Sequence, residues 1–141
     1  MPERVWYEVN VITCATPNLR EYSRNVHNDG DRNRAVKITD KELLKLHEKR
    51  LRRILDVAVM EGNEVVILGA FGCGAFANNP GVVAQAAKNV IAEYKYAFKS
   101  IEFAVYCNPW DEENYRVFER VMTNADFYKK CIDKKGVIPL T

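Results

Sequence analysis

Residues 68–80 read Leu68-Gly69-Ala70-Phe71-Gly72-Cys73-Gly74-Ala75-Phe76-Ala77-Asn78-Asn79-Pro80. The stretch leaves a short apolar run, Glu64 to Ala70 (EVVILGA), of the kind that suits a strand buried on both faces of a parallel sheet. It enters a helical pattern at Pro80, whose fixed φ suits a first helical turn. Gly69, Gly72 and Gly74 permit backbone angles that other residues avoid, and they let a ligand approach the main chain closely. Successive free N–H groups in such a turn, beside the positive end of a helix, form an anion site. The expected ligand group is a phosphate or diphosphate. In an open parallel sheet this edge, at the carboxyl ends of the strands, is where ligands bind.

On either side of the turn, strand and helix patterns alternate. Val5 to Cys14 (VWYEVNVITC) is β-branched and aromatic and reads as a strand. Residues 15–38 form a long polar loop, either a mobile insertion or a functional one. Thr39 and Glu42 have the spacing of a capping box, with Asp40 as a rival cap. A helix then runs to about residue 61 and stops at Gly62. His47 falls on its apolar face and reads as a packed, hydrogen-bonded core residue. Lys45, Lys49, Arg50, Arg52 and Arg53 make its polar face, with a polyanion-binding role as the alternative. A second helix spans 80 to about 99, with Val82, Val83, Ala86, Val90, Ile91, Tyr94 and Phe98 inward. Ile101 to Cys107 (IEFAVYC) reads as a third strand. Asp111 can cap a third helix to about Met122, with Tyr115, Phe118 and Val121 inward. Residues 127–132 suggest one more short helix, and Val137 to Leu140 a short apolar tail that docks on the body. The order β-loop-α-β-α-β-α argues for a single α/β domain over 1–141 with parallel strands.

Several chemistries are excluded or disfavoured. A Walker loop needs Gly-Lys-Ser/Thr, and the turn has neither Lys nor Ser/Thr. The Rossmann fingerprint expects an acidic residue at the end of the next strand, whereas Glu93 falls mid-helix. Phe71 and Phe76 either stack on a ribose or base, or plug the turn onto the core. Cys73 has no His or Asp placed in sequence to activate it as a nucleophile. Cys14, Cys73, Cys107 and Cys131 form no Cys-x-x-Cys pair, and His27 and His47 lack ligand spacing, so no metal site is expected. With Cys14 and Cys107 at the ends of apolar runs, the thiols read as reduced and the protein as cytoplasmic.

The 141 residues include 48% hydrophobic and 28% charged side chains, enough for one globular core. A complete kinase, dehydrogenase or barrel enzyme needs about 200 residues or more. The net charge of +2 argues for no specific nucleic-acid partner. Residues 1–4 carry no signal-peptide core, and no apolar run approaches the ~20 residues of a membrane span.

The stretch ILGAFGCGAFANNP followed by VVAQ resembles the loop of the microbial-type poly(ADP-ribose) glycohydrolases, a branch of the macrodomains. Upstream VNVITCATPNL, then RRILDVAVMEGNEVVILGA and SIEFAVYC, are similar to that family in the same order. The resemblance covers about Tyr7 to Phe118 and matches the family's C-terminal, diphosphate-loop half. It implies a macrodomain-like three-layer α/β/α fold, here a minimal version with a small, mainly parallel sheet, and an ADP-ribose-type small molecule as ligand, with no cofactor. By position Gly72, Cys73, Gly74, Ala75 and Phe76 would donate backbone contacts to the diphosphate. Phe76 would pack on the terminal ribose, with Gly69 and Phe71 lining the same loop. Asn78 would sit at the helix entry, and Asn108 would lie towards the adenosine.

The departure concerns catalysis. The family's catalytic segment is Gly-Gly-Gly followed by Gln-Glu-Glu, whose second Glu is the general acid. This chain has no Gly-Gly pair, and its only Gln is Gln85. Glycoside cleavage requires a positioned carboxylic acid. Glu3, Glu8 and Glu21 lack the motif's context, so no catalytic residue is assigned. Asp29 and Asp31 in the 15–38 loop, a second subunit or a preceding segment would have to supply the acid. In the family sheet a further strand separates the first and second of these strands. Either these strands re-pair within the chain, or another copy or a partner chain supplies the missing strands; a homo-oligomer is expected, and a structural half of a split domain is the alternative to a binding protein or an enzyme.

Overall fold

The structure, a computed structural model, describes residues 8–20, 37–107, 110–123 and 137–140. Helix α1 spans Asp40–Met60, strand β1 Val65–Leu68, helix α2 Pro80–Tyr94, strand β2 Ser100–Ala104, helix α3 Glu113–Thr123 and strand β3 Val137–Leu140.

The helix ends follow the sequence signals. Thr39 is the cap of α1: its Oγ1 accepts from the Glu42 N–H at 3.3 Å, and the Thr39 N–H donates back to the Glu42 carboxylate at 2.9 Å. The far end closes on Gly62 at φ 69, with Gly62 N–H bonded to Val59 O and Asn63 N–H to Ala58 O. This paired closure satisfies carbonyls that a helix end otherwise leaves open. Asn79 caps α2 by accepting from Gly81 N–H at 2.9 Å, and Asp111 accepts from Glu113 N–H at 3.2 Å at the start of α3. α2 is shorter than its apolar periodicity suggests. It ends at Tyr94, and Phe98 reaches the core from the turn beyond, stacked on Tyr94 at 6.4 Å.

β1 and β2 pair in parallel, Val66 beside Ile101 and Leu68 beside Phe103. β3 adds an antiparallel edge on the other side of β2, which is where the apolar 137–140 tail docks. Pro139 is tolerated there because an edge strand does not need every N–H. One apolar core joins Leu51, Leu55 and Ala58 of α1, the buried side of α2, Phe118 and Met122 of α3, and Val66, Ile101 and Phe103 of the sheet. Phe103 and Phe118 meet at 5.7 Å between centroids. Each such buried side chain contributes about 1.5–3 kcal/mol by leaving water.

Two expectations are corrected. The strand expected over Val5 to Cys14 is not formed in its described part: residues 8–14 belong to no ladder. That segment is tied down by a side-chain bond, Asn10 Nδ2 to Asn63 Oδ1 at 2.8 Å, and Val9 and Val11 remain exposed. Cys14 accordingly sits half-buried in irregular chain rather than at a strand end. β1, expected to be buried on both faces, is covered on one. Val65 and Ile67 are 52% and 66% exposed, because the described helices share the face that carries Val66 and Ile101. Most of the 15–38 loop, including Asp29 and Asp31, and the 127–132 segment, with Cys131, lie outside the described residues, as do Glu3, Glu21, His27 and Asn108.

Candidate functional site

The glycine loop leaves the carboxyl end of β1 and is built around Asn78. This side chain is 2% exposed. Its Nδ2 donates to three carbonyls, Pro17 O at 2.8 Å, Gly72 O at 3.0 Å and Phe76 O at 3.2 Å. Those acceptors fix the amide's orientation, so Oδ1 faces the other way, 2.9 Å from His47 Nε2. An acceptor there requires Nε2 to carry the proton. His47 is fully buried, its ring edge-on to Phe71 at 5.6 Å, and its Nδ1 has no partner among the described residues. Burial, reinforced by the nearby Arg50 charge, holds the imidazole below its usual range against the Asn78 bond, so it stays neutral. The core reading of His47 therefore holds, with a role added: it is the strut between α1 and the loop.

The loop's own backbone turns inward. Cys73 N–H donates to Ala70 O, Ala77 N–H to Gly74 O and Asn78 N–H to Gly72 O, each at 3.0 Å. Gly72 adopts φ 83, and a Cβ there would lie 2.4 Å from Thr16 Oγ1 and 2.8 Å from Asn78 Nδ2. Only glycine fits, for its angle and for its space. Ala77 sits at φ 53, a left-handed conformation that costs a non-glycine residue about 1–2 kcal/mol. The N–H groups of Gly72, Gly74, Ala75 and Phe76 meet no backbone acceptor among the described residues. Gly74 and Ala75 are exposed, and α2 begins four residues after Phe76. The arrangement presents main-chain donors and a positive helix end in one place, which suits an anion.

Two further elements wall the loop. Residues 16–20 lie along it, with Leu19 N–H donating to Phe76 O at 3.0 Å and the Arg20 guanidinium 5.4 Å from the Phe76 ring centroid. From the other side, Asn114 Nδ2 in the first turn of α3 reaches Cys73 O at 3.4 Å. Of the residues singled out from sequence, Gly69, Phe71, Gly72, Cys73, Gly74, Ala75, Phe76 and Asn78 thus occupy one loop. Their surroundings sort them. Asn78 and Phe71 look inward, Gly74 and Ala75 outward, and Phe76 is half-buried beneath Arg20. Cys73 has spent its N–H on Ala70, and burial pushes its thiol up to about 12, far from a nucleophile's range. Arg20, His47 and Asn114 were missed as loop contacts, because each reaches the loop from a distant part of the chain.

Of the α1 cations, Lys45, Lys49 and Arg53 are exposed, and Arg52 is engaged in an ion pair. Arg52 donates twice to the Glu93 carboxylate at 2.7 and 2.8 Å, tying α1 to α2. Arg50 is half-buried rather than solvated. No group of His, Cys, Asp and Glu that could hold a metal occurs among the described residues, and no described helix is long and apolar enough to cross a membrane.

The fold is thus a small α/β one, with three helices among the described residues and a two-strand parallel pair carrying the loop, and it is macrodomain-like. Its solved neighbours are particular. The chain is similar to the crystal structure of poly(ADP-ribose) glycohydrolase from Deinococcus radiodurans in complex with ADP-ribose, with 32% identity, a TM-score of 0.56, and coverage of 59% of this chain and 34% of that one. A point mutant of the same enzyme, also in complex with ADP-ribose, gives 32% identity and a TM-score of 0.52, covering 58% and 34%. The matched region is about a third of those chains' length. No protein-family model and no curated protein matches the chain.

Proposed function

We propose that this protein binds ADP-ribose, or a related nucleotide, through the glycine loop Gly69–Pro80 and does not hydrolyse it. The observation that carries the reading is the set of N–H groups at Gly72, Gly74, Ala75 and Phe76, beside the start of α2, that meet no backbone acceptor among the described residues. The likeness to a glycohydrolase solved with ADP-ribose supports the choice of anion. In this reading Gly69 and Phe71 line the loop, Cys73 contributes by shape, Asn78 holds the loop closed and Asn108 lies towards the adenosine. The proposed absence of hydrolysis rests on the sequence, which has no Gly-Gly pair and no Gln-Glu-Glu. The three described cysteines are free thiols, in keeping with a cytoplasmic setting. Calorimetry with ADP-ribose tests binding, and silence at millimolar ligand overturns it. Incubation with poly(ADP-ribose) tests the second clause: released ADP-ribose would restore the hydrolase alternative, with its acid supplied from elsewhere.

A second reading concerns assembly. β1's outer side faces a groove of about 400 Å³, shared by Ile12, Cys14, Leu51, Ile54, Val65 and Ile67. Among the described residues β1 pairs with no strand on its side away from β2, and such an edge recruits further strands. It favours a homo-oligomer or a strand-donating partner. A clean monomer in sedimentation, unchanged by other chains, would overturn it.

A further inference from the structure

The loop that would take a diphosphate carries no charge of its own: residues 69–80 include no Lys, Arg, His, Asp or Glu. Main-chain donors and a helix end compensate a dianion only in part, each interaction being modest where water has access. Resting on the binding function above, we propose that Arg20 is the cationic contact of this site, its guanidinium pairing with the ligand's diphosphate beside Phe76.

Four observations place it. The carbonyl of Pro17 is bonded to Asn78 Nδ2 at 2.8 Å and the N–H of Leu19 to Phe76 O at 3.0 Å, so the chain reaches residue 20 already fixed against the loop. Asn18 Oδ1 then accepts from both the Arg20 N–H at 3.3 Å and Arg20 Nε at 3.1 Å. That bond uses the inner nitrogen and points the two terminal nitrogens onward. The guanidinium lies 5.4 Å from the Phe76 ring centroid, within cation–π range. Among the described residues no carboxylate neutralises it. An arginine held by a ring and a side-chain amide has lost much of its rotamer freedom before the ligand arrives, which lowers the cost of binding. Its planar fork matches two phosphate oxygens at once, where a lysine offers a point charge. The site so completed selects for the anionic bridge of a nucleoside diphosphate over the neutral nucleoside.

The test is calorimetry on the full chain with ADP-ribose, inorganic pyrophosphate and adenosine, for the native protein, Arg20→Gln and Arg20→Lys. Arg20→Gln is expected to weaken ADP-ribose and pyrophosphate about 10- to 100-fold, the worth of a charge-assisted pair, and to leave adenosine unmoved. Arg20→Lys is expected to recover part of the loss. Equal anion affinity in Arg20→Gln overturns the inference. So does a parallel loss for adenosine, which would mean that Arg20 only supports the loop. Pyrophosphate binding that needs Arg20, with ADP-ribose ignored, keeps the inference and removes the ADP-ribose function. Binding of neither anion by the native protein overturns both.

Discussion

Beneath the glycine loop three carbonyls converge on one buried amide, whereas at its exposed tip main-chain N–H groups meet no backbone acceptor among the described residues. The underside consists of carbonyls, those of Pro17, Gly72 and Phe76, gathered on one buried amide that is backed by His47. The outer side carries the exposed Gly74 and Ala75, whose N–H groups, like those of Gly72 and Phe76, meet no backbone acceptor among the described residues. The loop uses Gly72 O and Phe76 O internally, together with the N–H groups of Cys73, Ala77 and Asn78, and leaves four other N–H groups without a backbone acceptor among the described residues. A buried, unpaired carbonyl costs about 1–3 kcal/mol, so the underside must be satisfied for the loop to exist. Exposed N–H groups cost little while water serves them, and they are ready for an anion. Stability therefore resides below the loop, and the proposed ligand affinity would reside above it.

The sharpest way to break this division is Gly72→Ala. The left-handed angle adds about 1–2 kcal/mol and the collision with Thr16 and Asn78 about 1–3 kcal/mol more. Chemical denaturation should show a loss of about 2–5 kcal/mol, or no folded protein. A loss under about 0.5 kcal/mol would mean that the underside is loose. Asn78→Ala comes next. It strips one donor group from three carbonyls and the acceptor from His47 Nε2, and about 2–3 kcal/mol should vanish from the unfolding free energy.

A smaller effect comes from acid. His47 is neutral in the folded state with its pKa held below 6.5, while the unfolded chain takes up a proton near that value. As pH falls below 6.5 the unfolded state binds more protons than the folded one, so stability declines until the folded histidine itself titrates. His47→Gln keeps an N–H near Nε2 and cannot be protonated. Denaturation midpoints between about pH 7.5 and 5 should slope less in His47→Gln than in the native protein. Identical slopes would show that His47 titrates freely.

Much of this architecture was legible locally. Thr39 and Glu42 announce the start of α1, Gly62 its end and Pro80 the start of α2, because caps and breakers act within one turn of chain. The glycine spacing announced the tight turn between β1 and α2 for the same reason. The 8–14 segment was misread because β-propensity describes a residue's fit to a sheet and not the presence of a neighbouring strand. Val65 and Ile67 were misread because a continuous apolar run says nothing about how many layers cover it. Arg20 and His47 were invisible as parts of the site. Their partners Phe76 and Asn78 lie far along the chain, and no spacing in a single sequence records such a meeting.

The smallest expected effect on stability is Gly74→Ala, and it bears most directly on the outer side. Gly74 has no positive φ, and a Cβ placed on it meets nothing within 4 Å. Backbone strain and crowding, which forbid alanine at Gly72, are both absent two residues on. Stability should stay within about 0.5 kcal/mol of native. The methyl projects into open space, on a residue whose own N–H meets no backbone acceptor among the described residues. A ligand that presses its diphosphate onto the main chain there loses that approach, and ADP-ribose affinity should fall about tenfold with the melting temperature unchanged. An unchanged affinity would move the ligand off Gly74. A large drop in melting temperature would show that the outer side is also part of what holds the loop together.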